Sequence, residues 1–184
     1  MKKIYLASKS PRRQELLKLM NIDFTLFLQD ADESYPDTLK TEEVAEFIAN
    51  KKLADLNIPE DGIVLTADTI VVVDSEILGK PKDEHDAFLM LKKLSGRMHQ
   101  VITGVCLKSV DKQISFSETT EVYFRILKDE EIKTYVQQYQ PMDKAGSYGI
   151  QEWIGIAGIT RINGSYTNVV GLPSEKVFAA LQNF

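Results

Sequence analysis

The chain has 184 residues, 43% of them hydrophobic, and its 22 basic and 27 acidic residues give a formal net charge of -5 at pH 7. This length suffices for one domain with a real core, and the composition is ordinary for a globular protein. The acidic balance argues against stable nucleic acid binding, because proteins that bind nucleic acid carry a basic excess or a basic stripe. We therefore expect basic residues to act only locally.

Cysteine and histidine are too scarce for two common kinds of site. One cysteine, Cys106, excludes an internal disulfide, and two histidines disfavour a histidine-rich zinc site. Cys106 lies in an apolar strand and is expected to be inert core. These features fit a reducing, cytoplasmic setting. The apolar run before Ser8 is too short for a signal peptide, and no run approaches membrane-spanning length.

Hydrophobic periodicity predicts strands at residues 4–7 and 24–28 and a helix between them. A polar loop at 30–38 precedes a second helix at 40–55, capped by Thr41. That helix has Val44, Phe47 and Ile48 on one face. The apolar stripe expected on the first helix consists of Leu16, Leu17, Leu19 and Met20.

A β-branched segment at 62–74 predicts a central strand, which the polar residues Thr66, Asp68 and Thr69 interrupt. The order of helices with a sheet of mixed direction indicates an α/β or α+β fold. The remaining predicted elements are a helix at 84–94, two or three strands at 99–127 with a hairpin near Asp111 and Lys112, a helix at 128–139, a glycine-rich region with short strands at 142–173, and a helix at 174–184.

The segment LASKSPRRQELL combines a helix start with two cations. Ser10 is a good N-cap, and Pro11 suits the first turn of a helix. Free amide protons and the helix dipole bind anions at such a start, so an anion would offset the unfavourable crowding of Arg12 and Arg13. The alternative is that the arginines are solvated or pair with Glu15.

Asp68 is a charged residue inside an apolar strand. Burying it alone would be costly, so it should face a cleft, a cation or a metal, or else be a hydrogen-bonded structural aspartate. Asp32 and Glu33 lie in an acidic loop, where solvated carboxylates are the ordinary expectation. Paired with Asp68, they could hold Mg²⁺. Thr69 could simply be a good strand former.

Three other polar residues have open interpretations. Lys52, near the end of the second helix, and Lys80, in the turn GKP, could be ordinary surface lysines. Gln151 follows KAGSYGI, whose two glycines allow the backbone to approach a ligand closely. Its amide could pair with the edge of a base or satisfy a turn. The chain contains no Walker loop, no GxGxxG and no GxSxG.

Seven motifs occur in a distinctive order: LASKSPRRQELL, DE at 32–33, Lys52, ADT at 67–69, GKP, DKAGSYGIQ and NVVGLP. Together they resemble the Maf family of nucleoside triphosphate pyrophosphatases over essentially the whole chain. The resemblance implies a single domain over residues 1–184 with an α/β fold. We expect a mixed twisted sheet flanked by helices, with two lobes around a nucleotide cleft, as in inosine triphosphate pyrophosphatases.

The resemblance also implies roles for individual residues. Asp68 would be the catalytic carboxylate that activates water, and Glu33 and Asp68 would hold Mg²⁺ or Mn²⁺. Substrate preference in the family tracks the positions of Arg12, Thr69 and Gln151, whose combination here looks like the subgroup that hydrolyses dTTP and UTP rather than 7-methyl-GTP. The substrate-binding residues implied are Ser8, Arg12, Arg13, Lys52, Thr69, Lys80 and Gln151.

The implied reaction is attack of water on the α-phosphate, which releases the nucleoside monophosphate and pyrophosphate. The alternative is a non-catalytic nucleotide-binding regulatory protein. Asp68 and Glu33 favour the enzyme, because carboxylates repel a polyphosphate unless a metal intervenes. Family members are often dimers, so we also expect a homodimer. The chain departs from the family pattern at Glu152 and Trp153, where a glycine is usual after the glutamine, and at Ser174.

Overall fold

The structure is a computed structural model that describes residues 2–28, 31–54 and 56–184. A 3₁₀ turn, Ala145–Ser147, lies between two of its helices. The strands and helices are, in chain order, β1 (Lys3–Leu6), α1 (Pro11–Leu19), β2 (Phe24–Leu26), α2 (Thr41–Lys51), β3 (Gly62–Val73), β4 (Glu76–Leu78), α3 (Glu84–Leu94), β5 (Met98–Lys108), β6 (Gln113–Phe124), α4 (Asp129–Tyr139), α5 (Trp153–Gly158), β7 (Ile159–Asn163), α6 (Tyr166–Val170) and α7 (Ser174–Leu181).

Within the described residues, seven strands form one mixed sheet. Its hydrogen-bonding order is β2, β1, β3, β5, β6, β7, and β4 pairs with β3. Strand β1 is parallel to β2 and β3, whereas β4 and β7 are antiparallel to β3 and β6. Helix α1 supplies the crossover that parallel strands β1 and β2 require. The predicted mixed sheet with helices is confirmed.

The chain divides into two compact units, in agreement with the two lobes that the resemblance implies. The first unit comprises Met1–Thr69, Thr103–Glu118 and Thr167–Phe184, and the second comprises Ile70–Ile102 and Thr119–Tyr166. Each unit has its own buried apolar side chains. Those in the first unit include Leu6, Leu17, Leu65, Leu107 and Leu172, and those in the second include Leu91, Leu94, Ile132 and Ile154.

Several local predictions are confirmed. Helix α1 begins at Pro11, and the hydroxyl of its N-cap Ser10 accepts a hydrogen bond from the backbone N–H of Arg13. The central strand, the hairpin between β5 and β6, and helices α3 and α4 lie where the pattern places them. Cys106 is buried, and burial raises the pKa of its thiol to about 12, so this thiol is inert at neutral pH.

Other predictions were wrong in detail. Thr41 is the first residue of α2 rather than its cap, since Lys40 is the N-cap and its backbone N–H donates to the Glu43 carboxylate. Leu19 is 72% exposed at the end of α1, outside the buried stripe. The glycine-rich region contains two short helices and one strand, and β4 was not predicted. Asp30 and Asp55, assigned to a loop and to α2, lie outside the described residues.

None of the helices in the described ranges has both the length and the apolar character needed to cross a membrane.

His99 is a buried titratable group in the second unit. It is 1% exposed, its Nε2 lies 2.7 Å from the Tyr148 hydroxyl, and its ring stacks on Phe124. Burial lowers the pKa of His99 from 6.5 to about 3. The folded protein therefore keeps this imidazole neutral over a range of pH in which the unfolded chain protonates it.

We expect His99 to reduce stability in acid. Between pH 6.5 and about 3 the unfolded state binds the extra proton, so the free energy of unfolding falls as pH falls, by at most about 1.4 kcal/mol per pH unit. Urea unfolding of the wild type and of His99→Gln across this range measures the effect. The variant should show the shallower slope, and identical slopes would contradict the assignment.

Candidate functional site

The guanidinium of Arg13 is buried at the start of α1. Its Nη1 donates to Ser8 Oγ over 3.1 Å, its Nη2 to Thr69 Oγ1 over 3.0 Å, and its Nε to the Gly171 carbonyl over 2.8 Å. Burial lowers the pKa of Arg13, and the nearby Asp68 carboxylate opposes that effect. Arg13 therefore joins the loop after β1, the middle of β3 and the NVVGLP segment. These partners differ from the ion pair with Glu15 that the alternative interpretation predicted for the arginines.

Two threonine hydroxyls extend this arrangement into a directed chain. Thr103 Oγ1 donates to the Asn168 carbonyl over 3.1 Å and lies 2.9 Å from Thr69 Oγ1. A hydroxyl carries one hydrogen, so Thr69 must be the donor in the bond to Thr103. Hydrogen bonds thus run from Arg13 through Thr69 and Thr103 to Asn168.

A second cluster surrounds the ammonium of Lys52, the residue that follows α2. Lys52 Nζ lies 2.7 Å from Asp68 Oδ1 and 2.9 Å from Glu33 Oε1. The side chains of Lys52 and Asp68 are only 12% and 13% exposed, so this ion pair is largely shielded from water. Asp68 therefore faces a cation, one of the outcomes expected for a charge in an apolar strand.

Asp32 does not join this cluster. Its carboxylate pairs with Lys51 over 2.6 Å and accepts hydrogen bonds from Ser34. The hydrogen bonds from Lys51 and then Ser34 hold the pKa of Asp32 well below its usual range. Glu33 is thus the member of the acidic pair that meets Asp68, through Lys52.

Strand β3 supplies one residue to each cluster. Asp68 and Thr69 are consecutive, and side chains of consecutive strand residues point to opposite faces of the sheet. Asp68 accordingly meets Lys52, next to α2, whereas Thr69 meets Arg13 on α1. Arg12 neighbours Arg13 on α1 and is partly exposed.

The remaining predicted residues, Lys80 and Gln151, belong to the second unit. Lys80 is exposed in the loop between β4 and α3, and the preceding Gly79 carbonyl accepts from the backbone N–H of Gly146. Gln151 is exposed and lines an open groove of about 430 Å³ with Ile150, Ile156 and other largely apolar residues. The structure thus joins the GKP loop to the turn that precedes Gln151.

Sequence reasoning missed Thr103 and Gly171. Thr103 is a fully buried polar residue in an apolar strand, so the argument applied to Asp68 could have found it. Gly171 has a φ of +128°, which strongly favours glycine, and its carbonyl meets Arg13. Its motif was recognised, but no local signal shows that its carbonyl serves a residue so far away in sequence.

The two carboxylates of the Lys52 cluster fit the ligand chemistry of a divalent cation. Both contact one ammonium, so their oxygens converge on a single positive charge. Mg²⁺ commonly takes one or two carboxylates and completes its shell with phosphate oxygens and water. Within residues 2–28, 31–54 and 56–184 no group of three or more histidine, cysteine, aspartate or glutamate residues could hold a metal, so a cation there would need such additional oxygens.

The fold is similar to that of a known structure. The solved structure of a HAM1 protein from Coxiella burnetii aligns with the whole of both chains, with a TM-score of 0.52 and 16% identity. The molecule is therefore an α/β protein of the HAM1 fold, with a cluster of cations and carboxylates at its central strand β3.

The family model for Maf-like proteins matches residues 3–184, and the chain belongs to this family. Relatives named dTTP/UTP pyrophosphatase extend over almost the full length. One from Phocaeicola vulgatus is 54% identical, covering 98% of this chain and 95% of its own. One from Flavobacterium psychrophilum is 51% identical, covering 98% and 94%. One from Thermosipho africanus is 50% identical, covering 97% and 92%. The resemblance found in the motifs is confirmed.

We expect Arg13→Lys to destabilise the protein by about 2 to 4 kcal/mol, because one ammonium cannot replace a guanidinium that reaches three separate acceptors. Arg12→Lys makes the same change one position away on a partly exposed residue and should cost little. Urea unfolding followed by circular dichroism compares them. An equal loss of stability in the two variants would show that the three hydrogen bonds of Arg13 are not the cause.

Proposed function

We propose that residues 1–184 form a single catalytic domain that hydrolyses dTTP and UTP to the nucleoside monophosphate and pyrophosphate. The observation that carries the proposal is the shielded Asp68 carboxylate, held 2.7 Å from Lys52 Nζ in the middle of β3. A carboxylate shielded in such a strand is costly to bury unless it is paired, and Lys52 is its partner. The substrate class comes from relatives that are 51% and 54% identical in sequence and are named dTTP/UTP pyrophosphatase.

The cations bind the triphosphate in this proposal. Catalysis of phosphate transfer rests mainly on positioning and on stabilising negative charge. Arg13 uses one N–H on each of its three nitrogens within the protein. A guanidinium has five N–H groups, so one on Nη1 and one on Nη2 can serve a phosphate oxygen, with Ser8 held beside them. The other cations assigned to the triphosphate are Arg12, Lys52 and Lys80.

Asp68 takes the proton from the attacking water. The water oxygen bonds to the α-phosphorus, the bond from this phosphorus to the α,β-bridging oxygen breaks, and pyrophosphate leaves with that electron pair. Lys52 holds Asp68 Oδ1, which fixes the carboxylate in place and balances its charge. Asp68 also stands as a ligand for the divalent cation, together with Glu33.

A bound Mg²⁺ or Mn²⁺ would neutralise charge on the phosphates and stabilise the charge that develops during the reaction. Glu33 and Asp68 are the residues of this chain that would hold it. Lys52 contacts both carboxylates, so a cation held by Glu33 and Asp68 would share their oxygens with its ammonium.

Base selectivity is assigned to Arg12, Thr69 and Gln151.

The proposed setting is the cytoplasm, where nucleotides are found, and the buried, inert Cys106 is consistent with that setting. The homodimer that the resemblance implies stays a prediction.

Asp68→Asn should abolish turnover and leave the fold intact, because an amide neither accepts the water proton nor carries the charge that a cation needs. Asp61→Asn is a matched control, since Asp61 also pairs with a lysine, Lys3, over 2.6 Å on the surface of the same unit. Pyrophosphate release and circular dichroism should separate the two. Near-normal activity of Asp68→Asn would remove Asp68 from the mechanism.

Pyrophosphate release from dTTP, UTP, CTP, dATP, GTP and 7-methyl-GTP, each with and without Mg²⁺ or Mn²⁺, tests the reaction itself. We expect metal-dependent turnover confined to dTTP and UTP. Turnover of another nucleotide would keep the chemistry and change the substrate. Binding of nucleotides without any turnover would instead favour the non-catalytic regulatory protein.

A further inference from the structure

Gln151 sits in a tight turn. The backbone N–H of Glu152 donates to the Gly149 carbonyl over 3.0 Å, which closes a four-residue turn with Gln151 in third place. Gly149 and Ile150 are buried, whereas Gln151 is exposed. The turn therefore projects one amide side chain from an otherwise buried segment.

One tyrosine hydroxyl holds both ends of this turn. Tyr135, on α4, accepts a hydrogen bond from the backbone N–H of Gly149 over 3.0 Å and donates one to the carboxylate of Glu152. Tyr135 is fully buried. Burial, followed by the hydrogen bond to Glu152, raises the pKa of Tyr135, so the hydroxyl keeps the proton that it donates.

The charge of Glu152 is balanced inside the same unit. Its second carboxylate oxygen lies 3.2 Å from Lys144 Nζ, and Lys144 also pairs with Asp143 over 2.8 Å. The side chains of Lys144 and Glu152 are 10% and 17% exposed. Glu152, where the family pattern has glycine, thus has both carboxylate oxygens engaged within the second unit.

The backbone on either side leaves the turn little freedom. A Cβ on Gly149 would lie 2.8 Å from Glu152 Cδ and 2.9 Å from Gln151 Nε2, so the glutamine side chain packs directly on this glycine. Helix α5 begins immediately afterwards, and a Cβ on its Gly155 would lie 1.9 Å from the Ile150 carbonyl oxygen. Close contacts on both sides therefore fix the backbone from which the Gln151 side chain projects.

We propose that Tyr135 and Glu152 are positioning residues for Gln151, and that the clamp they form makes the enzyme selective for the imide edge of uracil and thymine. This rests on the proposed function. A glutamine amide offers an acceptor and donors to the N–H and C=O groups of that edge. An amide carried by a fixed turn can meet a base in few arrangements, whereas an amide on a mobile turn can shift to pair with another base. Cytosine reverses this pattern, with an acceptor at N3 and a donor at N4, and would need the amide turned over, so the ratio of kcat/KM for UTP to that for CTP reports the clamp.

Tyr135→Phe removes one hydroxyl and is the first test. We expect the UTP to CTP ratio to fall about three- to tenfold, the range for the loss of one neutral hydrogen bond between Gln151 and the base, through a higher KM for UTP with kcat nearly unchanged. Glu152→Ala should act in the same direction. Glu152→Gln should keep most of the selectivity, because its carboxamide oxygen still accepts from Tyr135.

A double-mutant cycle separates positioning from general damage. Gln151→Ala should lower the ratio, and adding Tyr135→Phe to it should change nothing further, because the clamp acts only through Gln151. Val122→Ala, a buried truncation in β6 of the same unit, should lower the melting temperature and leave the ratio unchanged.

The outcomes are distinguishable. Wild-type protein that hydrolyses neither UTP nor dTTP would overturn the proposed function before any variant is compared. An active wild type whose ratio is insensitive to Gln151→Ala would overturn the clamp proposal alone. Additive losses in the Tyr135→Phe and Gln151→Ala cycle would do the same, because they would show that Tyr135 acts elsewhere.

Discussion

The burial of one charged side chain, that of Arg13, organises the first unit. Burying a charge is costly unless it is hydrogen-bonded, and the three acceptors of this guanidinium come from segments far apart in the chain. Ser8 follows β1, Thr69 lies in β3 and Gly171 precedes α7. Because one planar group must meet all three, its geometry sets how these segments approach each other. The helix start at Pro11 matters chiefly because it places Arg13 at this junction.

Strand β3 then connects this network with the Lys52 cluster. Consecutive residues on a strand face opposite ways, so a single pair, Asp68 and Thr69, links the Arg13 network to the Lys52 cluster. Lys52 stabilises two carboxylates that would otherwise repel each other. In the second unit a buried side chain has a similar role, because the Tyr135 hydroxyl links Gly149 and Glu152 through hydrogen bonds.

Local rules predicted much of this from the sequence. The cap and proline at Ser10 and Pro11, the α3 helix, and the unusual charge at Asp68 follow from backbone chemistry and the cost of burial. The partners could not be predicted in the same way, since Gly171 is 158 residues from Arg13 and Thr103 is 34 from Thr69. Motif resemblance pointed to candidate site residues but not to the residues that hold them in place. Glu152 departs from the family pattern, and the sequence alone did not predict its contacts with Tyr135 and Lys144.

The hydrogen bonds from Arg13 to Asn168 all run in one direction. A backbone carbonyl can only accept, so the hydrogen of Thr103 points toward Asn168 and that of Thr69 toward Thr103. What Thr69 shows to an incoming molecule is a lone pair. With Arg13 donating to it and its own hydrogen directed to Thr103, Thr69 Oγ1 can accept one further hydrogen bond but cannot donate one. A group that carries a hydrogen can therefore bond to this atom, whereas an oxygen that has only lone pairs cannot.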